Sequence, residues 1–97
     1  MNYKTIKRLQ EDYGYSELQS MIDGGAAWEM EGSYGRMAMD SLRSGICMLP
    51  KVAHLDYYGN YIPSRDDLKK GTKGTYQNCI RFWEGVESGS IFLECED

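Results

Sequence analysis

The sequence predicts an α+β fold: one small domain of about four helices, one of them short, around a short two- or three-stranded β element. Three observations predict it. Apolar residues recur every three to four positions in several segments, each closed by glycine. Two short apolar runs, "ICML" and "SIFLEC", follow two of those segments. Between them, Gly59-Asn60 sits among aromatic and β-branched residues, the composition of a tight reversal. At 97 residues the chain reads as a single domain, 1–97, long enough for one core with little stability to spare.

In chain order, Tyr3, Ile6, Leu9 or Gln10, and Tyr13 form one apolar helical stripe, with Gly14 as the stop. Ser16 opens a second helix. Its "SELQ" reads as a capping box, with the Ser16 hydroxyl accepting from the Gln19 N–H and the Gln19 side chain reaching back. Leu18, Met21 and Ile22 make its buried face, and Gly24-Gly25 ends it because two glycines lose too much backbone entropy to propagate a helix. "AAWEME" supports two readings. Trp28 and Met30 alternate with Glu29 and Glu31 as in a strand, whereas Ala26 and Ala27 suit a helix; the segment reads as irregular or weakly extended.

Ser33 caps a helix over Tyr34 to Ser44 whose inner face is Tyr34, Met37, Ala38 and Leu42, with Gly45 just past its end. "ICMLP" then reads as a buried strand stopped by Pro50. Later, Thr75 caps a helix over Tyr76 to Ser88 with Tyr76, Cys79, Ile80, Trp83 and Val86 on one stripe. Gly85 inside it costs up to ~1 kcal/mol relative to Ala. Gly89 ends it, and "SIFLEC" follows as a second short strand. The stretches 32–49 and 74–93 share a plan, readable as a weak repeat or, more simply, as two uses of a good helix ending. On either reading, Ile46–Leu49 and Ile91–Cys95 are expected to pair.

"HLDYYGNYIPSRDD" holds the chain's single histidine. Gly59 at the first central position of a two-residue turn fits type II′, so "DYYGNYI" reads as a small hairpin or tight loop ended by Pro63. Ser64 then caps a short helix in "SRDDLKKG", with Asp66 and Asp67 near the positive end of its dipole, Lys69 and Lys70 near the negative end, and Gly71 as the stop.

The net charge of −4 argues against non-specific binding to nucleic acid, and is too small for an acidic decoy of a duplex. Basic residues cluster at Lys4, Lys7 and Arg8 and again at Lys69, Lys70 and Lys73. No apolar run approaches the ~20 residues of a membrane span. The basic start is not followed by an apolar stretch, so neither a signal peptide nor membrane contact is expected, and the expected location is the cytoplasm. Cys47, Cys79 and Cys95 are odd in number and far apart. No disulfide scaffold and no metal or other cofactor is expected, since structural zinc sites show closely paired ligands. Cys47 and Cys79 read as small core residues.

Candidate binding residues fall in two groups. Tyr57, Tyr58 and Tyr61 cannot all face one small core, and exposed tyrosine gives large, rigid contact area with a polar tip; they either form a binding surface, with Asn60 and Arg65, or cover the edge of the core. "KKGTKGTY" places Lys70, Lys73 and Thr75 just before a helix N-terminus, where free N–H groups favour anions. The spacing is not a P-loop, and solvated lysines are the commoner explanation. His54 as a general base would need a nucleophile and an orienting carboxylate, and Asp56 is near it only in sequence; a histidine alone is more often a hydrogen-bonding group at the surface or core edge. No catalytic residue is expected.

The run "EGSYGRMAM…SGICMLP…H-x-DYYGNYIPSRDDLKKGTKGT" resembles a group of small proteins encoded by tailed phages and prophages of gut bacteria. They are similar in carrying a Gly-Arg helix, a short Cys-x-Leu segment, an aromatic "DYYGN-x-IPSR" loop and a "GTKG" turn. The resemblance covers about Trp28 to Thr75. It implies an accessory role inside the infected bacterium, without implying an enzyme. The expected function is therefore a non-enzymatic accessory protein that binds a host protein, as a modulator of host defence or regulation. The alternative is a small-ligand protein that binds or sequesters a nucleotide or phosphate. Self-association is left open.

Overall fold

The first helix begins where a side chain can replace a missing backbone partner. In the computed structural model, which describes residues 1–29 and 33–93, Asn2 caps α1 (Tyr3–Asp12): its Oδ1 accepts from the Thr5 N–H at 2.9 Å. Ile6, Leu9 and Gln10 point inward. Gly14, at φ +87°, turns the chain into α2 (Ser16–Gly24), and Gly25, at φ +88°, ends that helix in the left-handed region glycine favours.

The capping box at Ser16 does not form. Tyr15 is the N-cap and offers no side-chain hydrogen bond, while Gln19 is buried with its amide turned to the core. The segment "AAWE" is helical rather than irregular or extended. It forms α3 (Ala26–Glu29), a single turn restarted by Gly25, whose carbonyl accepts from the Trp28 N–H at 3.1 Å. Trp28 and Ala27 are buried; Met30 and Glu31 lie outside the described residues.

α4 (Ser33–Ser44) ends where expected but takes in Ser33, the expected cap, as its first residue, and its inner face is narrower than its apolar residues suggest. Ala38, Ser41 and Leu42 are buried, while Tyr34 and Met37 are exposed. Ser41 can be buried because its hydroxyl donates to the Ala38 carbonyl at 2.7 Å. Gly45, at φ +100°, follows as expected.

Residues 46–50 are buried or nearly so, but they are not a strand. Their backbone groups are satisfied by side chains and loops instead of a β partner. The Ile46 carbonyl accepts from Gln10 Nε2 at 2.8 Å and from Trp83 Nε1 at 3.0 Å. The Cys47 N–H donates to the Ser41 carbonyl at 3.1 Å. Gln19 closes both ends of Met48, accepting its N–H at 2.9 Å and donating to its carbonyl at 3.0 Å. The Leu49 N–H donates to the Gly74 carbonyl at 2.8 Å, and its carbonyl accepts from Arg65 Nε at 2.7 Å. This segment therefore does not pair with Ile91–Leu93, which forms no strand; Glu94 and Cys95 lie outside the described residues.

The segment is instead a wall between two half-cores, with a strand-like alternation of side chains. Cys47 and Leu49 pack with Leu18, Ile22, Trp28, Leu42 and Ile62. Met48 faces the other way, into Ile6, Leu9, Cys79, Phe82 and Trp83. Trp83 is fully buried, with Phe82 edge-on to it at 5.1 Å.

Among the described residues the sheet has two strands, β1 (His54–Leu55) and β2 (Tyr61–Ile62). They are antiparallel, with His54 opposite Ile62 and Leu55 opposite Tyr61. Residues 64–71 form turns, not the expected short helix. Ser64 Oγ accepts from the Asp66 N–H at 3.1 Å and Asp67 Oδ2 accepts from the Ser64 N–H at 3.1 Å, so the capping hydrogen bonds form. The helix does not propagate, because Arg65 is pulled inward by its partners at Leu49 and Asp23, and Gly71 is at φ +90°. α5 (Tyr76–Ser88) has the expected ends, Thr75 capping the Asn78 N–H at 3.2 Å and Gly89 at φ +83°. Its buried face includes Phe82 besides Cys79 and Trp83. The tail folds back over Gly85, whose carbonyl accepts from the Ile91 N–H at 2.9 Å.

Five helices, among the described residues, and one two-stranded antiparallel sheet make an α+β domain. It is 19 Å through its thinnest direction, about two helix diameters.

Candidate functional site

The hairpin tip is organised by one carboxylate. Asp56 Oδ1 accepts from the N–H groups of Tyr58 and Asn60, at 2.9 and 2.7 Å, and Oδ2 accepts from Asn60 Nδ2 at 3.2 Å. The backbone adds Asp56 N–H to Asn60 carbonyl at 2.9 Å and Gly59 N–H to Asp56 carbonyl at 3.0 Å. Gly59, at φ +82° with open space around it, closes the loop. The connection is thus the Asp56–Asn60 loop rather than a two-residue type II′ turn. An aspartate satisfying successive backbone donors is the local reason the sequence bends here.

This loop holds Tyr57 and Tyr58 edge-to-face, ring centroids 5.0 Å apart at 82°. Tyr57, Tyr58 and Tyr61 are 55, 68 and 64% exposed, so all three stand at the surface. The Tyr61 hydroxyl lies 3.4 Å from Asp67 Oδ2, to which it donates. Asn60 is exposed and is held by Asp56 through its backbone N–H and its side-chain amide.

Arg65 does not join this surface. It is buried, with Nη2 at 2.6 Å from Asp23 Oδ1 and its guanidinium 5.9 Å from the Tyr3 ring. A buried pair of this kind, bonded also to a backbone carbonyl, ties the turn after β2 to α2. Thr75 is buried too. Its hydroxyl accepts from Asn78 and donates to the Thr72 carbonyl at 2.6 Å, so the start of α5 is capped from within the chain. Lys70 and Lys73 are exposed. The residues of 69–76 therefore part company, two lysines outward and the threonine inward.

Two grooves of about 230 Å³ each flank the hairpin. The first lies between Ala27, Trp28, Gly35, Arg36 and Met39 on one side and Asp56, Tyr57, Tyr58 and Ile62 on the other. The second is lined by Met39, Leu42, Arg43, Leu49, Tyr61, Ile62, Pro63 and Lys73. Trp28, Arg36 and Met39 are absent from the sequence-derived candidates. The available signal was an excess of apolar residues on α4: a stripe filled by Ala38 and Leu42 leaves Tyr34, Met37 and Met39 outside.

His54 packs on Gly25, where a Cβ would meet its Nδ1 at 2.9 Å. Its Nε2 is buried and, like Trp28 Nε1, has no hydrogen-bond partner among the described residues. Asp56 faces its own loop and does not orient the imidazole. Burial pushes both Cys47 and Cys79 thiols up to about 12, so each stays protonated and unreactive near neutrality. No group of metal-ligating residues occurs among the described residues, nor any helix long and apolar enough to cross a membrane. No protein-family model, curated protein or solved structure matches the chain.

Proposed function

We propose that this chain is a non-enzymatic accessory protein that binds a partner protein in a bacterial cell, with Tyr57 and Tyr58 as the anchors of the contact. The observation that carries this reading is a pair of exposed tyrosines, mutually packed and fixed by the Asp56 loop. Rigid aromatic side chains lose little conformational freedom on contact, which is why such residues dominate binding hot spots. The resemblance to small phage and prophage proteins is what supports a partner in the infected host, as a component of defence or regulation. The buried, protonated thiols are unsuited to nucleophilic chemistry, in keeping with a binding role.

The test is co-purification from expressing bacterial cells. The wild-type chain is expected to retain a stoichiometric partner, and Tyr57→Ala/Tyr58→Ala to lose it, weakening the contact by at least about tenfold while leaving the far-ultraviolet circular dichroism unchanged. Undiminished retention by the double variant refutes the assignment of the tyrosines. Arg65 is unsuitable for this experiment, because its removal leaves Asp23 without its charge partner and perturbs the fold.

A further inference from the structure

We propose that the two grooves beside the hairpin form one track for an extended, acidic segment of a partner protein, its apolar side chains seated in the grooves and its carboxylates against Arg36 and Lys73. This rests on the reading of the hairpin as a protein-binding surface and names the chemistry of the partner.

Continuity comes first. Met39 and Ile62 line both grooves, so the cavities meet at one apolar divide. An extended chain points alternate side chains to opposite sides, and two anchors separated along it can occupy two adjoining grooves.

Charge selects the occupant. The whole chain carries −4, yet the groove walls carry Arg36, Arg43 and Lys73 against a single carboxylate, Asp56. The Asp56 oxygens face the loop N–H groups and Asn60. Arg43 lies 3.3 Å from Asp40. Arg36 and Lys73 have no carboxylate partner among the described residues, and they stand one at each groove. A net-acidic protein that keeps an apolar track edged with cations lacking a carboxylate partner among the described residues is complementary to an apolar segment carrying Asp or Glu. The cations are too few, and the linings too apolar, for a track that follows a phosphate backbone.

The experiment selects a library of random linear peptides on the full-length chain. Enriched peptides are expected to carry Asp or Glu near two apolar residues. Their affinity is expected to fall at least about tenfold in Arg36→Glu/Lys73→Glu, less in the corresponding double alanine variant, and to weaken as salt is raised. Both residues are exposed, so the fold should persist, which circular dichroism checks. Absence of enrichment, enrichment of basic or uncharged peptides, indifference to the charge reversal, or displacement of the peptides by single-stranded oligonucleotide each overturns the track. If charge reversal has no effect but Tyr57→Ala/Tyr58→Ala abolishes peptide binding, the hairpin reading survives and the track alone fails.

Discussion

Gln19 shows how a residue's role changes when its surroundings are known. Its side chain bonds both backbone groups of Met48, accepts from Gln10 Nε2 at 3.0 Å and donates to Asp23 Oδ1 at 3.0 Å. Gln19→Leu preserves much of the volume but strands a buried N–H and a buried carbonyl. It is expected to destabilise the domain by about 2–4 kcal/mol, measured by urea denaturation. Ser16→Ala provides the contrast. A true capping box would lose about 1 kcal/mol, whereas the observed geometry, with no side-chain cap, predicts a change within about 0.5 kcal/mol. A near-neutral Gln19→Leu, or a costly Ser16→Ala, would contradict these assignments. Arg65 makes the same point for the candidate site: its position beside three tyrosines in sequence says surface, but its bonds to Leu49 and Asp23 turn it inward.

At the scale of elements, two glycines with similar backbone angles serve different ends. Gly45 lies where α4 approaches α5, and a Cβ there would come 2.7 Å from Phe82 Cβ and 3.1 Å from the Asn78 carbonyl oxygen. Gly59 has a similarly positive φ, but nothing lies within 4 Å. Gly45→Ala therefore carries both conformational strain and overpacking and should cost about 3 kcal/mol, against about 1 kcal/mol for Gly59→Ala. Denaturation midpoints of the two variants check the ordering; equal losses would mean that the α4–α5 approach is looser than described. A helix-ending glycine after Ser44 is legible in the sequence, because its signal is local. The closeness of Phe82, from a helix more than thirty residues away, is not.

For the whole molecule, the wall at 46–49 means that neither half-core can lose its packing without exposing the other. Cys47 sits in one half and Cys79 in the other, so their thiols report on both. In denaturant, alkylation of Cys47 and Cys79 is expected to proceed at one common rate, followed by mass spectrometry of their peptides; distinct rates would show that the halves open separately. The same thiols set a pH dependence. Their folded pKa values are raised from 9.0 to about 12, so the folded chain holds protons that the unfolded chain releases. Their contribution is complete below pH 9 and declines as pH rises from there to about 12, by at most about 1.4 kcal/mol per pH unit for each thiol. Cys79→Ala should flatten that decline.

The sequence by itself determined the four longer helices and their glycine endings and the bend before Pro63, because caps, left-handed glycines and the Asp56 loop act over a few residues; that all three hairpin tyrosines stand outward came from the structure. It could not determine that "ICML" lies extended without a strand partner, that "SRDDLKKG" keeps its capping bonds yet stays a turn, or that α4 helps to line two grooves. Those outcomes turn on which distant group reaches a buried backbone donor first. Here side chains from α1, α2 and α5 satisfy the wall segment, and an arginine from the turn completes it, a choice made by packing in three dimensions and invisible to local pattern.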